Sequence, residues 1–340
     1  MTLFHLFKSF AQCIAVVFSL FTNLILIVLV LTNSPKKIGN YKYLMAYFGA
    51  MSMIYAVLDF LVQPYLYSYG HSFSMIMDLR DSVFKSIPRV AFVLTSSLAA
   101  CFGITIYAIA VNFVYRFFAI ERQNRIRYFA GYRLFLWMLI PIAAGVMWLS
   151  VAMFALEYDQ EMADYLRTSI NHTYSLDSRE VTFTGCLYFR QNGNGKLEWC
   201  WEDTLGAVVL SIMLHIPFFI ICFFGFKSHK LINCIVSSGE SEYSKRLQKQ
   251  LHNALVAQTI IPMIFLFFPI GILFTTPLLN LDMSNYSIFA SFSYTFYPAV
   301  DPIPTLYYVD EFRDPISNFF RRKMNKNQIA SVVSFDLNFP

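Results

Sequence analysis

The chain has 340 residues, of which 57% are hydrophobic and 14% charged, and its mean hydropathy is +0.51. These values exclude an ordinary soluble domain, in which about 25% of the residues are charged. The net charge of +5, from 26 basic and 21 acidic side chains, is explained below by where the basic residues lie, so it gives no reason to expect nucleic-acid binding.

Seven apolar stretches, each long enough to cross a bilayer, follow one another along the chain. A hydrocarbon core of about 30 Å requires about 20 mostly apolar residues in a helix. Backbone groups in lipid must also be hydrogen-bonded within the protein, which favours helices. We therefore predict an all-α integral membrane protein, a bundle of seven transmembrane helices. The predicted spans are Phe10–Thr32, Tyr43–Leu66, Arg89–Phe113, Leu134–Leu156, Thr204–Phe226, Ala254–Thr276 and Ser287–Val309.

The segment after the seventh span has the pattern of a short amphipathic helix. Asp314 and Pro315 suit the N-cap and first position of a helix, and the apolar side chains that follow lie beside a basic run. Such a helix lies along the inner leaflet. We therefore divide the chain into a membrane domain, residues 1–310, with a large outer loop at 157–203, and a cytoplasmic part, residues 311–340, made of this helix and a disordered tail.

The basic residues predict which way the chain crosses the membrane. With the N-terminus outside, 18 of the 26 Lys and Arg residues fall in inner segments, whereas acidic residues favour the outer ones, twelve to seven. The positive-inside rule therefore predicts an outer N-terminus and an inner C-terminus. Two glycosylation sequons, at Asn171 and Asn285, then lie outside and are candidate glycan sites.

Two cysteines in the large outer loop flank a strong turn signal. Cys186 and Cys200 stand on either side of the sequence at 192–195, Asn-Gly-Asn-Gly. A three-residue loop there would place the two cysteines opposite each other, so we hypothesise a hairpin held by a Cys186–Cys200 disulfide over the outer mouth of the bundle. The alternative is an irregular loop with two free thiols.

Ionisable residues at membrane depth are costly, and they usually face the bundle interior. Asp59 in the second span and Asp301 in the seventh are such residues, and both could meet Asn23 of the first span. The cluster could be a packing feature, or a hinge sensitive to protonation or cations. Proline kinks would accompany such a hinge. The predicted hinge prolines are Pro262, Pro269 and Pro302.

The inner ends of the third and sixth spans together form a basic surface. Tyr115-Arg116 closes the third span, and a basic tract leads into the sixth, next to apolar residues at helical spacing. A surface of this kind can receive an amphipathic partner helix or lie against anionic lipid, and a lone Arg at a helix end is usually an anchor. The tract residues are Lys245, Arg246 and Lys249.

As a set, several landmarks give the chain a family resemblance. It resembles the nematode Str-type seven-helix chemoreceptors and the closely related Srj set, which include odorant receptors. The landmarks extend from the first inner loop to the end of helix seven, at matching spacing. They are Gly39–Met45, Leu58–Pro64, Tyr115–Phe117, Leu255–Pro262 and Phe296–Pro304.

The resemblance implies a multi-pass G-protein-coupled receptor in the plasma membrane of sensory-neuron cilia. It would bind a small odorant between its helices, without a cofactor, and activate a heterotrimeric G protein. The resemblance makes Tyr115-Arg116 the counterpart of the acidic-Arg motif of other receptors and Asp301-Pro302 that of their Asn-Pro motif. The chain departs from the wider pattern because Val114 precedes and Thr305 stands where Tyr is usual.

A ligand pocket is expected about five turns outward from Arg116, at the depth where a cavity between helices would lie. Occupancy would rotate the inner end of helix six about Pro262 or Pro269. For each candidate residue, ordinary packing is the alternative. The predicted ligand residues are Gln63, Thr95, Leu98, Ala99, Phe102, Phe267, Phe274, Ser291, Tyr294 and Thr295.

Two other classes of membrane protein remain as alternatives. An odorant-gated ion channel would have its N-terminus inside, and a small-molecule transporter would show paired half-repeats, which we do not find in the sequence. An enzyme is not expected, since the sequence has no metal-ligand cluster, nucleophile elbow or phosphate loop.

Overall fold

The structure, a computed structural model, describes residues 3–121, 125–191, 196–236, 241–319 and 321, and it is mostly helical. Within these residues, six helical rods are long and apolar enough to cross a membrane: α1, α2, α3, α4, α6, and the rod formed by α7 and α8. The helices are α1 (Leu3–Asn33), α2 (Tyr41–Val62), α3 (Pro88–Glu121), α4 (Tyr132–Phe154), α5 (Gln160–Tyr174), α6 (Trp201–Val236), α7 (Glu242–Pro262), α8 (Phe268–Thr275), α9 (Ser284–Val300), α10 (Ile303–Tyr308) and α11 (310–319).

The sixth rod is continuous but irregular at its middle. A π-helical turn, Met263–Phe267, joins α7 to α8 between Pro262 and Pro269. Proline has no N–H to donate and its ring crowds the preceding turn, so a helix accommodates it by widening or bending. Turns of this kind are often found at functional sites.

The segment predicted as the seventh span is two helices. α9 has 17 residues and ends at Val300, and α10 begins at Ile303. The break falls at Asp301-Pro302, where proline removes a helical hydrogen bond and restricts the residue before it. The predicted span Ser287–Val309 is therefore interrupted at Pro302, one of the predicted hinge prolines.

A three-stranded antiparallel sheet covers one end of the bundle, which we call the sheet end. Its strands are β1 (Tyr65–Tyr69), β2 (Ser72–Asp78) and β3 (Val181–Leu187), in the order β1-β2-β3. The all-α prediction missed this sheet, and it also extended the second helix to Leu66. That helix ends at Val62 because Gln63 takes a left-handed φ of 49° before Pro64.

The described part of the large loop, 157–191 and 196–203, contributes β3 to the sheet and a helix that packs on the sheet. Its helix α5 is amphipathic and packs Leu166 and Ile170 against β1 and β3 residues such as Tyr65 and Phe183. The Asp159 carboxylate caps the start of α5 by accepting a hydrogen bond from the Glu161 N–H. The predicted glycan sites are both exposed, Asn171 on α5 and Asn285 at the start of α9.

The predicted disulfide is not formed. Strands β4 (Phe189–Gln191) and β5 (Leu197–Trp199) make a hairpin, but five residues rather than three separate its last paired positions. Cys200 therefore lies opposite Tyr188 and donates its N–H to the Tyr188 carbonyl at 3.0 Å, while Cys186 belongs to β3. Both thiols are free, and burial raises the pKa of the Cys186 thiol to about 12. The predicted turn, 192–195, lies outside the described residues.

Two basic residues predicted to flank the spans lie inside helices. Lys8 is 3% exposed within α1, and Arg116 is 2% exposed because α3 continues to Glu121. At the chain's other end, α11 begins at residue 310 and not at Asp314. The predicted disordered tail lies beyond the described residues.

Candidate functional site

A cavity of about 290 Å³ lies directly beneath the sheet. Helices α3, α4, α6, α8 and α9 form its sides, and strands β1, β2 and β3 form its roof. Its size falls at the lower end of the range for small-molecule sites. The lining residues are Leu66, Phe73, Met75, Ala99, Phe102, Trp148, Ala152, Leu156, Thr184, Gly185, Leu210, Ser211, Leu214, His215, Ile270, Gly271, Phe274, Thr275 and Tyr294.

The hydroxyl groups in the walls already donate to the protein's own backbone. Tyr294 donates to the Leu98 carbonyl at 2.9 Å, Ser211 to its own helix at 2.9 Å, and Thr275 likewise at 2.8 Å. The Thr184 hydroxyl donates to the carbonyl at the end of α4 at 3.1 Å. A ligand therefore meets mainly hydrocarbon surface, and a buried ionic group would find no fixed opposite charge in these walls. The cavity suits a small uncharged molecule.

Four of the ten predicted ligand residues line this cavity. Ala99 and Phe102 project from α3, Phe274 from α8 and Tyr294 from α9. The edge of the Phe102 ring meets Trp148 of α4, with centroids 5.3 Å apart. Counting turns outward from Arg116 along α3 therefore leads to residues at the depth of this cavity.

The other six predicted ligand residues do not line the cavity. Several of them contact the residues that do line it. The Leu98 carbonyl accepts a hydrogen bond from the Tyr294 hydroxyl, and the Phe267 ring packs on the Phe102 ring with centroids 5.1 Å apart. The Ser291 hydroxyl accepts a hydrogen bond from the N–H of Leu66, in the roof, at 2.9 Å. These six are Gln63, Thr95, Leu98, Phe267, Ser291 and Thr295.

Sequence reasoning missed the walls supplied by α4, α6 and the sheet. Trp148, Leu210 and His215 had no motif to distinguish them from lipid-facing residues. Met75 and Thr184 meet only because β2 pairs with β3, two segments far apart in the chain.

A buried cation and carboxylate connect α1 to α2 near the sheet end. The Lys8 ammonium donates to the Gln63 carbonyl at 2.5 Å and lies 3.3 Å from the centre of the Tyr65 ring. It also interacts electrostatically with Asp59, whose carboxylate accepts a hydrogen bond from Thr295 at 3.4 Å. This network joins α1, α2, β1 and α9.

Asp301 forms a separate polar cluster. Its carboxylate accepts hydrogen bonds from Ser52 of α2 at 3.1 Å and from Tyr297 at 3.2 Å, and its carbonyl accepts one from Gln258 of α7 at 3.2 Å. The predicted meeting of Asn23 with both carboxylates is wrong in detail, since the Asn23 amide donates to the Pro298 carbonyl at 3.0 Å. Helices one, two and seven do meet here, as predicted.

Arg116 is buried between α3 and α7 at the end opposite the sheet, which we call the Arg116 end. Its guanidinium donates to the Gln248 side chain at 2.8 Å and to the Gln248 carbonyl at 3.3 Å. It also lies over the Tyr41 ring, which stacks on Tyr115 with centroids 5.0 Å apart. A neutral amide on α7 thus holds the arginine that has no acidic neighbour.

A second set of contacts at the Arg116 end joins α7 to α11. Asp310 accepts hydrogen bonds from Gln250 at 2.6 Å and from Arg246 and Arg313. Partial burial opposes ionisation of Asp310, but the Gln250 hydrogen bond and the two arginine charges outweigh it and lower the pKa of the carboxyl group. Of the other predicted coupling residues, Lys245 pairs with Glu242 at 3.0 Å and Lys249 is exposed.

Comparison with known proteins agrees with this architecture. Residues 8–317 match the family described as serpentine type 7TM GPCR chemoreceptor Str. Serpentine receptor class r-10 of Caenorhabditis elegans is 31% identical over 320 residues, covering 93% of this chain and 91% of that protein. The same organism's G-protein coupled receptor str-217 is 28% identical, covering 98% of both chains, and its serpentine receptor class J-38 is 25% identical, covering 88% and 89%. With its cavity under a sheet, its buried Arg116 and a match over nearly its whole length, the chain belongs to the Str family of serpentine G-protein-coupled chemoreceptors.

Proposed function

We propose that this receptor detects a small odorant in the cavity beneath the sheet and activates a heterotrimeric G protein. The observation that carries the proposal is an apolar cavity of about 290 Å³ between the helices of a chemoreceptor-family chain. A small uncharged organic molecule fits this space, as a volatile odorant would.

The proposed receptor spans the membrane seven times, with the pair α9–α10 as the seventh crossing. Its N-terminus and sheet end face outward and the Arg116 end faces the cytosol, in the plasma membrane of sensory-neuron cilia. The cluster of Lys37, Lys245, Arg246 and Arg313 at the Arg116 end supports this orientation through the positive-inside rule. Asn171 and Asn285 would then be open to glycosylation. An epitope at the N-terminus should be detected on intact cells; detection only after permeabilisation would favour an odorant-gated channel.

The α7–α8 rod is the element that connects ligand to G protein in this proposal. Its α8 half contributes Gly271 and Phe274 to the cavity, and its α7 half holds Arg116 through Gln248. A ligand shifts a conformational equilibrium only by binding one arrangement more tightly. The proposed active arrangement bends the rod at the π-helical turn between Pro262 and Pro269 and withdraws Gln248 from Arg116.

Bending of this kind would open the Arg116 end to a partner. The basic residues Lys245, Arg246 and Lys249 lie on α7 itself and would form one edge of the opened site, where an amphipathic helix of the G protein would pack. Because Asp301 and Pro302 interrupt the neighbouring helix, α10 can follow α7 without moving α9. Membrane lipids are the remaining partner, along the outward apolar faces.

A pair of substitutions on α6 tests the binding site. Leu214 lines the cavity, whereas Val208 on the same helix is 48% exposed and does not line it. Cells expressing the receptor are screened with uncharged volatiles and a second-messenger readout. Leu214→Trp should fill the cavity and abolish the response at normal surface expression, and Val208→Trp should respond normally. A normal response from Leu214→Trp would refute the assignment of the cavity.

An arginine substitution tests the coupling site independently. Arg116→Gln should keep surface expression and odorant binding but abolish the second-messenger response, because the guanidinium is the group that the bending of α7 would release. Full signalling by Arg116→Gln would contradict the proposed role.

A further inference from the structure

We infer that ligands enter this cavity from the lipid bilayer, through a gap between α6 and α8, and are therefore uncharged, lipid-soluble molecules. The inference rests on the proposed function in taking the cavity as the ligand site. It adds the route of entry and the class of ligand that can use it.

The most exposed side chains of the cavity wall lie on two helices. His215 on α6 and Thr275 on α8 are the exposed lining residues. Partial exposure extends to Gly271 on α8, to Phe73 of the roof and to several other lining residues, whereas Leu66 of the roof is fully buried, at 0% exposure. The opening of the cavity therefore lies between α6 and α8.

Gly271 leaves this gap open. A methyl group added at its Cα would meet no atom within 4 Å outside its own helical turn, so no side chain from α6 fills the space in front of it. Tighter contacts occur where helices do close on each other: a methyl group at Gly206 of α6 would come within 2.8 Å of Ala155.

The gap faces the surroundings expected to be lipid. Large apolar side chains next to it point outward, with Ile212 56% exposed and Ile216 48% exposed on α6. Phe268 and Ile272 do the same on α8, at 62% and 38%. Exposed apolar surface of this extent on spanning helices contacts hydrocarbon, so a molecule passing the gap comes from the bilayer core.

The sheet closes the route from water. Strands β2 and β3 pack so closely that a methyl group at Gly185 would lie 2.4 Å from the Phe73 carbonyl oxygen. Strand β1 is fastened to α9, because the Leu66 N–H donates to Ser291 at 2.9 Å and the Ser68 N–H to Ser287 at 3.1 Å. A polar ligand would have to break these bonds to enter from above.

The Tyr188 hydroxyl donates to the Phe274 carbonyl at 3.0 Å and fastens the large loop to α8 above the gap. This contact leaves the lateral opening below it unobstructed. Entry from lipid also concentrates the ligand, because an apolar molecule partitions into the bilayer before it binds, by about 0.8 kcal/mol for each CH₂ group transferred. Charged molecules are excluded by the same step.

Photolabelling of the purified full-length receptor in lipid nanodiscs tests the route without requiring a known odorant or a signalling response. The probe is a short uncharged alkyl diazirine dissolved in the lipid. Mass spectrometry should find label on the peptides that contain Phe102 and Trp148, two cavity residues that are nearly buried. The variant Gly271→Phe should lose that label. Ile272→Phe, a substitution one residue away on the lipid-facing side, should keep it.

Labelling of lipid-facing Phe268 confirms that the probe reaches α8 in each variant, and an unchanged melting temperature confirms that the variant is folded. His215→Trp, which narrows the gap from α6, should behave like Gly271→Phe. Undiminished labelling of Phe102 in both gap variants would overturn the inference. So would equal labelling of Phe102 by a water-soluble diazirine carboxylate. If no odorant activated the receptor but the labelling pattern held, the route would stand and the proposed function would fall.

Discussion

Gln248 allows the strongest test of the proposed resting state, because two nearly isosteric substitutions should change activity in opposite directions. Its side-chain oxygen accepts a hydrogen bond from the buried Arg116 guanidinium at 2.8 Å. A hydrogen bond to a charged group contributes about 1.5–3 kcal/mol. If this contact exists only in the resting arrangement, Gln248→Leu shifts the equilibrium toward the active one by roughly tenfold or more, at about 1.4 kcal/mol per factor of ten.

Gln248→Glu places a carboxylate where the amide oxygen lies and should strengthen the contact with Arg116. We expect higher basal second-messenger levels from Gln248→Leu and lower ones from Gln248→Glu, at matched surface expression. Asn253→Leu, the same kind of change at an exposed position on α7 that has no part in the coupling site, is the control and should leave basal activity unchanged. Basal levels that move in the same direction in both Gln248 variants would refute the reasoning.

Three further predictions concern stability, each measured by thermal unfolding in detergent. Lys8→Met should lower the melting temperature, because it removes the hydrogen bond to the Gln63 carbonyl and the cation that interacts electrostatically with buried Asp59. Adding Asp59→Asn should restore part of the loss, and an unaffected single variant would contradict the interaction. Gly185→Val should lower the melting temperature sharply, because any Cβ at this position collides with the backbone of β2. A melting temperature equal to that of the wild type would mean that β2 and β3 are not so close together. Asp310→Asn should have a lower melting temperature than the wild type at pH 7. The difference should disappear as the pH falls through the lowered pKa of Asp310, because the ionised carboxylate stabilises the fold only above that pKa. A difference that persisted in acid would exclude the ion pair with Arg246 as its cause.

Local patterns predicted the spanning helices better than their ends. The lengths of the apolar stretches identified α1, α4 and α6, because each segment that crosses lipid must itself be apolar and satisfy its own backbone hydrogen bonds. It placed the end of α2 four residues too late, although Pro64 already indicated a helix stop. The break between α9 and α10 falls at Pro302, one of the predicted hinge prolines.

The level of the cavity along α3 could be predicted from the sequence, but the residues that complete its walls could not. Position along α3 gave Ala99 and Phe102, since the rise of a helix converts residue number into depth. Packing decides which face of a neighbouring helix completes the cavity. Trp148 and His215 therefore could not be predicted as lining residues from the sequence. The disulfide hypothesis failed for a related reason, because hairpin register depends on loop length and pairing partners.

Apolar length, basic residues and proline positions were sufficient to predict a helical membrane protein with prolines in its sixth and seventh spans, and to single out Arg116 near the inner end of the third. Each of these properties depends on the residues of one short segment. Packing of the helices was needed to bring Lys8 near Asp59, to place Gln248 against Arg116 and to put a sheet over the cavity. Lys8 and Gln63 are 55 positions apart and Arg116 and Gln248 132. Contacts over such separations form only when the helices pack.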